Sequence, residues 1–197
     1  PFTQQAPPLN LAKLIAGSEG TLAFITEIKL NLVDLPPVHK AVMAVHLESL
    51  EQALQANLIA LQFNPGAVEL MDKNILDLTK NNLTQQKNRF FISGDPEAIL
   101  IVEFARNTEG EIQKLFEQLE AALRAKNLGF HYPVIRGKDI HKIWALRKSG
   151  LGVLSNMKGD AKPVSLIEDT AVPVQCLAAY IADFKQLLSE YDLSCVY

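Results

Sequence analysis

The sequence is poor in the residues that build metal centres and disulfide frameworks. It holds two cysteines, Cys176 and Cys195, and four histidines in 197 residues. The cysteines lack the paired spacing of a zinc site and form no disulfide framework. His39 and His46 lie seven apart on or near one strand, so they point to opposite faces and cannot share a metal. His131 and His141 fall on different elements, and no Cys–His or Ser–His–Asp spacing stands out. Basic charge is not in excess: 19 Lys and Arg stand against 22 Asp and Glu, a net charge of −3. With a pI near 5.8, that balance speaks against a nucleic-acid or polyanion binder. No apolar run approaches the roughly 18–20 residues of a membrane span. No signal peptide is visible, and the chain opens on Pro1 without Met, so its true start is expected upstream. Neither G-x-G-x-x-G nor a Walker loop occurs. This cysteine usage fits a reducing cytoplasm.

What is present is an apolar content of 48%, enough for a real core in one large domain or two small ones. Residues 1–10 read as an extended, proline-rich lead-in. Leu11 to Ala16 reads as a helical turn leading to Gly17-Ser18-Glu19-Gly20-Thr21. Two glycines permit positive φ and close backbone approach, and Ser18 and Thr21 add hydroxyls. Consecutive N–H groups in such a loop suit phosphate oxygens, although a tight turn before a strand is the commoner explanation of G-x-x-G alone. Beyond Thr26, Ile28, Leu30 and Leu32 alternate with Glu27, Lys29 and Asn31, which predicts a half-buried strand. Asp34-Leu35-Pro36-Pro37 ends it and marks a domain boundary between residues 1–35 and 36–197.

From Ala41 the order is strand, helix, strand, then strand, helix, strand. Strands are predicted over Ala41–Leu47, Ala67–Met71, Ala98–Ala105 and Phe130–Ile135. A helix opening at Ser49 is assigned a face of Leu50, Leu54, Leu58 and Leu61. A second, capped by Thr108 with Glu111, carries Ile112, Leu115, Phe116, Leu119 and Leu123, with Gly129 as its C-terminal glycine. Helices are also predicted over Asp139–Met157 and beyond Pro173, the latter with Val174, Leu177, Ala178, Ile181 and Leu188 facing in. Short strands are expected at Val164–Ile167 and from Leu193 to Tyr197. This order predicts an α+β, ferredoxin-like layer: an antiparallel sheet with helices on one face.

On the helix from Asp139, Arg147 falls within a stripe of Ile140, Ile143, Trp144, Leu151 and Leu154. A buried guanidinium needs a carboxylate partner or an anionic ligand. A salt bridge to a residue such as Glu168 and a ligand contact both satisfy that need. Lys162 sits in a loop before Glu168-Asp169, either as a solvated lysine or as a second carboxylate clamp.

The string Gly-Ser-Glu-Gly-Thr-Leu-Ala-Phe-Ile-Thr-Glu-Ile resembles the motif that closes the FAD-binding domain in FAD-linked oxidases of the vanillyl-alcohol oxidase / p-cresol methylhydroxylase type. It is most similar to the D-lactate, glycolate and D-2-hydroxyglutarate dehydrogenases, which usually carry Gly where Ala23 stands. Trp144-Ala145-Leu146-Arg147 resembles a W-x-x-R segment whose arginine binds substrate carboxylate, and Glu168 to Pro173 resembles an E-D-x-x-V-P segment. The resemblance implies that residues 1–35 close an FAD-binding domain and that 36–197 form a substrate cap, truncated at its C-terminal end. It implies FAD contacts from Gly17, Ser18, Glu19, Gly20, Thr21, Leu22 and Ile25, and substrate contacts from Arg147 and Lys162. A histidine-rich G-H-x-G-x-G-x-x-H motif, expected after Tyr197, is not in the sequence. No catalytic residue or metal ligand is therefore assigned here, and a divalent metal or iron–sulfur cluster would lie outside this chain. The implied activity is oxidation of a D-2-hydroxy acid to the 2-oxo acid by the intact parent, with the fragment alone inactive. Expected partners are the small hydroxy acid, an unspecified electron acceptor and a second copy in a homo-oligomer, in the cytoplasm or at the periphery of the inner membrane. The alternatives are an FAD-linked oxidase of neutral alcohols or sugars, and a non-enzymatic ferredoxin-like binding module.

Overall fold

The computed structural model describes residues 9–155, 157, 159–160, 162–164, 167 and 170–197. Glu168, Asp169 and the side chain of Leu151 lie outside the described residues, as do two positions of the strand expected at Val164–Ile167. The chain divides into two compact units, Pro1–Leu35 and Pro36–Tyr197.

In the first unit, α1 (Leu11–Ala16) is capped by Asn10, whose side chain accepts from the Lys13 N–H at 3.2 Å. A turn follows, with Glu19 at φ 49° and Gly20 at φ 78°. The strand expected beyond Thr26 is not formed, and residues 23–35 hold no regular element. Alternation alone does not make a strand, because each backbone N–H and C=O also needs a neighbouring strand. Among the described residues of this unit there is none.

The second unit is built on four strands. β1 (His39–Leu47) leads through Ser49 into α2 (Leu50–Ala60), then β2 (Ala67–Asp72) and α3 (Lys73–Lys80). Ser49 accepts from the Gln52 N–H at 3.1 Å, as an N-cap should. A short α4 (Leu83–Gln86) follows α3. β3 (Ala98–Arg106) runs into α5 (Glu109–Arg124), closed at its start by a reciprocal Thr108–Glu111 capping box. β4 (Val134–Arg136), α6 (Ile140–Lys148), α7 (Gly150–Leu154) and α8 (Leu177–Ser189) complete the order. The sheet runs β2-β3-β1-β4 and every neighbouring pair is antiparallel. That is the arrangement of a ferredoxin-like β-α-β-β-α-β layer.

α2 and α5 cover one face. Ile112, Phe116, Leu119 and Leu123 of α5 pack on Met43, Val45, Leu100 and Phe104, with the Phe104 and Phe116 rings 5.0 Å apart. The face of α2 differs from the leucine stripe read in its sequence. Ala53, Leu54, Ala56 and Ala60 are buried, while Leu58 and Leu61 are over a third exposed. An alanine face lets the helix lie close to the sheet beside bulky α5, and helix spacing is set by the side chains at the contact.

The structure adds a second layer. Val42, Ala44, Ile99, Ile101 and Ile135 form a core on the opposite face with Ile143 and Leu146 of α6, Leu76 of α3, and Phe91. Hence Ala41 through Leu47 are all buried, with none of the alternation of a strand that faces water on one side.

Three local expectations are corrected. The backbone cap of α5 is Ala125, with Asn127 in the left-handed region. Gly129, at φ 86°, serves a different need: a Cβ there would lie 2.9 Å from Val45 Cγ1 and 3.1 Å from the His46 carbonyl. α8 buries none of its residues and keeps only a half-buried stripe. No strand forms from Leu193 to Tyr197, where the Tyr197 N–H instead donates to Asp72 Oδ2 at 3.1 Å.

Candidate functional site

In the first unit, the glycine turn folds back on α1. The Ser18 hydroxyl donates to the Ile15 carbonyl at 2.8 Å, and the Thr21 hydroxyl to the Ser18 carbonyl at 2.6 Å. The N–H groups of Gly17, Ser18 and Thr21 are likewise engaged with carbonyls of Lys13, Ile15 and Ser18. These donors are therefore satisfied within the turn. Gly20 remains open: a Cβ added there meets no heavy atom within 4 Å. Leu22 and Ile25 follow with exposed side chains.

In the second unit, Arg147 does not lie inside the apolar stripe. Among the described side chains, the buried positions of α6 and α7 are Ile143, Leu146, Gly150 and Val153, and Arg147 stands on the flank of that row. The reason is a break in the helix. α6 ends at Ser149, so the stripe drawn through Leu154 does not continue in one phase. Arg147 is half-exposed and meets Glu69 of β2. Its Nε and Nη2 lie 2.8 Å and 2.7 Å from the same carboxylate oxygen, Oε2. Among the described residues, no acceptor is hydrogen-bonded to Nη1.

Glu69 faces the sheet side that carries α6, because β2 pairs it with Ile101 of β3. Two residues further along β3 on that side stands Glu103. Trp144 Nε1 donates to Glu103 Oε2 at 3.1 Å, and Lys40 of β1 approaches Oε1 at 3.7 Å. Thus α6 is attached to the sheet at two points, Trp144 and Arg147, by carboxylates on adjacent strands. Glu103, Trp144, Lys40, Lys138 and Ile140 line an open cleft of about 560 Å³ beside this attachment.

Lys162, the other expected substrate contact, is exposed and donates to the Met157 carbonyl. The structure thus gives Arg147 a carboxylate partner and Lys162 a local one, and shows no contact joining the two. Glu69 and Glu103 were missed as site residues. Their signal was available: each is a carboxylate on a strand face whose other residues are apolar.

The histidines are partly brought together. His46 is buried and bridges His131 by backbone pairing, with ring centroids 4.9 Å apart. Its Nδ1 lies 2.9 Å from the Ala44 carbonyl, and its Nε2 accepts the Ser93 N–H at 3.2 Å. Those contacts require a neutral ring protonated at Nδ1. Burial lowers its pKa to about 4; the Ala44 carbonyl pulls the other way and His131 adds to the lowering. Among the described residues no group of three His, Cys, Asp or Glu side chains could hold a metal, and no helix is long and apolar enough to cross a membrane.

Comparison with known proteins gives relatives along almost the whole chain. The D-2-hydroxyglutarate dehydrogenases of Pantoea ananatis and Escherichia coli are each 34% identical over 203 aligned positions, covering 98% of this chain and 20% of the relative. The glycolate oxidase subunit GlcD of Bacillus subtilis is 24% identical, covering 94% of this chain and 37% of the relative. The chain therefore spans about a fifth of the length of the D-2-hydroxyglutarate dehydrogenases it matches. Residues 36–197, which contain the sheet, both attachment carboxylates, Arg147 and Lys162, match the family model described as FAD linked oxidases, C-terminal domain, and the chain belongs to that family.

Proposed function

We propose that this chain belongs to an FAD-dependent dehydrogenase that oxidises a D-2-hydroxy acid to its 2-oxo acid, and that it supplies the carboxylate-binding side of the site. One observation carries the reading: Arg147 is held side-on by Glu69, is half-exposed, and among the described residues has no acceptor bonded to Nη1. The Nη1/Nη2 end, with the second N–H of Nη2, is planar and bidentate, the geometry that recognises a second carboxylate. Similarity to D-2-hydroxyglutarate dehydrogenases supports the substrate class. Lys162 is proposed as a second cation for the same anion.

Residues 1–35 are read as the closing piece of an FAD-binding domain and 36–197 as the cap. The turn fits a cofactor that touches backbone at Gly20, where the left-handed φ and open space allow close approach. It fits a phosphate cradle less well, since its hydroxyl protons are already engaged. Gly17, Ser18, Glu19, Gly20, Thr21, Leu22 and Ile25 would hold FAD. When bound, FAD supplies the acceptor for the hydride of the α-carbon. The residues of this chain bind the substrate carboxylate and fix the α-carbon's orientation, a contribution of proximity and not of proton transfer.

The test is Arg147→Ala in the intact parent, with D-2-hydroxyglutarate, D-lactate and glycolate as substrates. Loss of one charged contact should lower kcat/KM by roughly 2–4 kcal/mol, mainly through KM. Because the pair with Glu69 is half-exposed, folding stability should change by less than about 1 kcal/mol. Wild-type kcat/KM per flavin would remove Arg147 from the site. Flavin reduction by neutral alcohols but not by 2-hydroxy acids would overturn the substrate class.

A further inference from the structure

We propose that Glu69 is a positioning residue: it fixes the guanidinium of Arg147 by its Nε/Nη2 side so that the Nη1/Nη2 end is presented to the carboxylate of the substrate. The inference rests on the substrate reading of Arg147 and names the residue that makes that reading geometrically workable.

Three observations carry it. First, both contacts from Arg147, 2.8 Å and 2.7 Å, converge on one oxygen of Glu69 from one edge of the guanidinium. A planar group gripped along one edge keeps a definite plane, and among the described residues no acceptor is bonded to Nη1, which leaves the adjacent Nη1/Nη2 end for a second forked pair. Second, Glu69 is itself on rigid ground. It sits within β2, opposite Ile101 of β3, so its backbone is fixed by the sheet. Third, the helix carrying Arg147 is held independently one turn earlier, where Trp144 donates to Glu103 at 3.1 Å. Two attachments to adjacent strands fix the helix in position and in rotation. The Glu69 contact is then left to orient the long arginine side chain.

A half-exposed ion pair of this kind contributes little to folding, so stability gives no strong reason for its geometry. Preorganisation gives one. An arginine has many rotamers, and freezing it before the ligand arrives removes that entropic cost from binding. The opposite role is also open to a carboxylate here. Glu69 could compete with the ligand for Arg147, and the two roles differ in sign.

The experiment uses the intact flavin-loaded parent with Glu69→Leu, Glu69→Gln, Arg147→Ala, Arg147→Lys and the Glu69→Leu/Arg147→Ala double variant. Two readouts are taken: KM and kcat with the three hydroxy acids, and calorimetric titration with oxalate, which needs no turnover. For a positioning role, Glu69→Leu should raise KM and weaken oxalate by about tenfold, with kcat within about twofold, as expected for losing one charge-assisted contact. Glu69→Gln keeps an acceptor and should lose less, about threefold. In the Arg147→Ala background, Glu69→Leu should add nothing, because the effect passes through Arg147. Arg147→Lys cannot present a fork and should not recover wild-type affinity. Tighter oxalate binding or a lower KM in Glu69→Leu would make Glu69 a competitor and overturn the proposal. So would unchanged KM and oxalate affinity, or an effect of equal size in the double variant. If Glu69→Leu fails to fold, Glu69→Gln decides by the same criteria. If Arg147→Ala leaves both readouts unchanged, the substrate reading itself fails, an outcome distinct from failure of Glu69 alone.

Discussion

His46 shows most directly how placement determines chemistry at a single residue. It is buried in β1, its two ring nitrogens are both engaged, and burial lowers its pKa from 6.5 to about 4. Between those values the unfolded chain takes up a proton that the folded chain refuses. Stability must therefore fall as pH drops from about 6.5 toward about 4, and the loss stops growing below the folded value. Urea unfolding between pH 7.5 and pH 4.5 should show this fall, and His46→Gln should flatten it. Ring proton resonances of His46 should stay constant above pH 5.5 in the native protein. A native-state midpoint above pH 6 would contradict the buried, neutral assignment. Arg147 makes the complementary point. Its sequence position suggested burial, yet it is half-exposed, and the partner it needed came from a strand 78 residues earlier.

Among the elements, the second helix of the ferredoxin-like layer depends most visibly on its start. Thr108 accepts the Glu111 N–H at 3.2 Å, while Glu111 accepts the Thr108 N–H at 3.1 Å. Thr108→Ala should cost about 1 kcal/mol, measured as a shift in the urea midpoint at constant slope. Both this cap and the apolar row of α5 were legible, because each is local and strongly periodic. Three strands of the sheet were legible as short apolar runs bounded by turns, whereas the one expected over Phe130–Ile135 is regular only at Val134–Arg136. The face of α2 was not, since alanine reads as neutral and only the neighbouring helix decides which side lies down. The strand expected beyond Thr26 failed for the converse reason: its pattern was right, but a strand is a relation between two segments. Of the candidate site, the sequence named some members and not others. The sequence pointed to Arg147 and Lys162 through a resemblance, and to Arg147 also through its helical position. It marked Glu69 as a lone carboxylate on an apolar strand face but could not name it as the partner of Arg147, because pairing across a sheet and a helix is set by register and not by spacing.

For the whole molecule, the division at Leu35 carries a prediction of its own. Residues 23–35 have no regular element, whereas β1 is paired on both sides. Limited trypsin digestion should therefore cut after Lys29 well before it cuts after Lys40 or Arg106, followed by mass spectrometry of the fragments. Equal rates would contradict it. The central strand has one more consequence. Both faces of Ala41–Leu47 are apolar, so a slip by one residue would exchange faces without exposing a hydrophobic side chain. Hydrophobicity alone therefore cannot tell the right alignment from the wrong one. His46 can: it is the single polar side chain in that run, and although its contact with the Ala44 carbonyl lies within β1, its Nε2 meets the Ser93 N–H on the face that carries α6. A slip by one residue would carry the polar ring away from that donor and into the apolar contacts of α2 and α5. The imidazole thus works as a key cut into an otherwise featureless blade, discriminating against misthreaded sheets instead of strengthening the correct one.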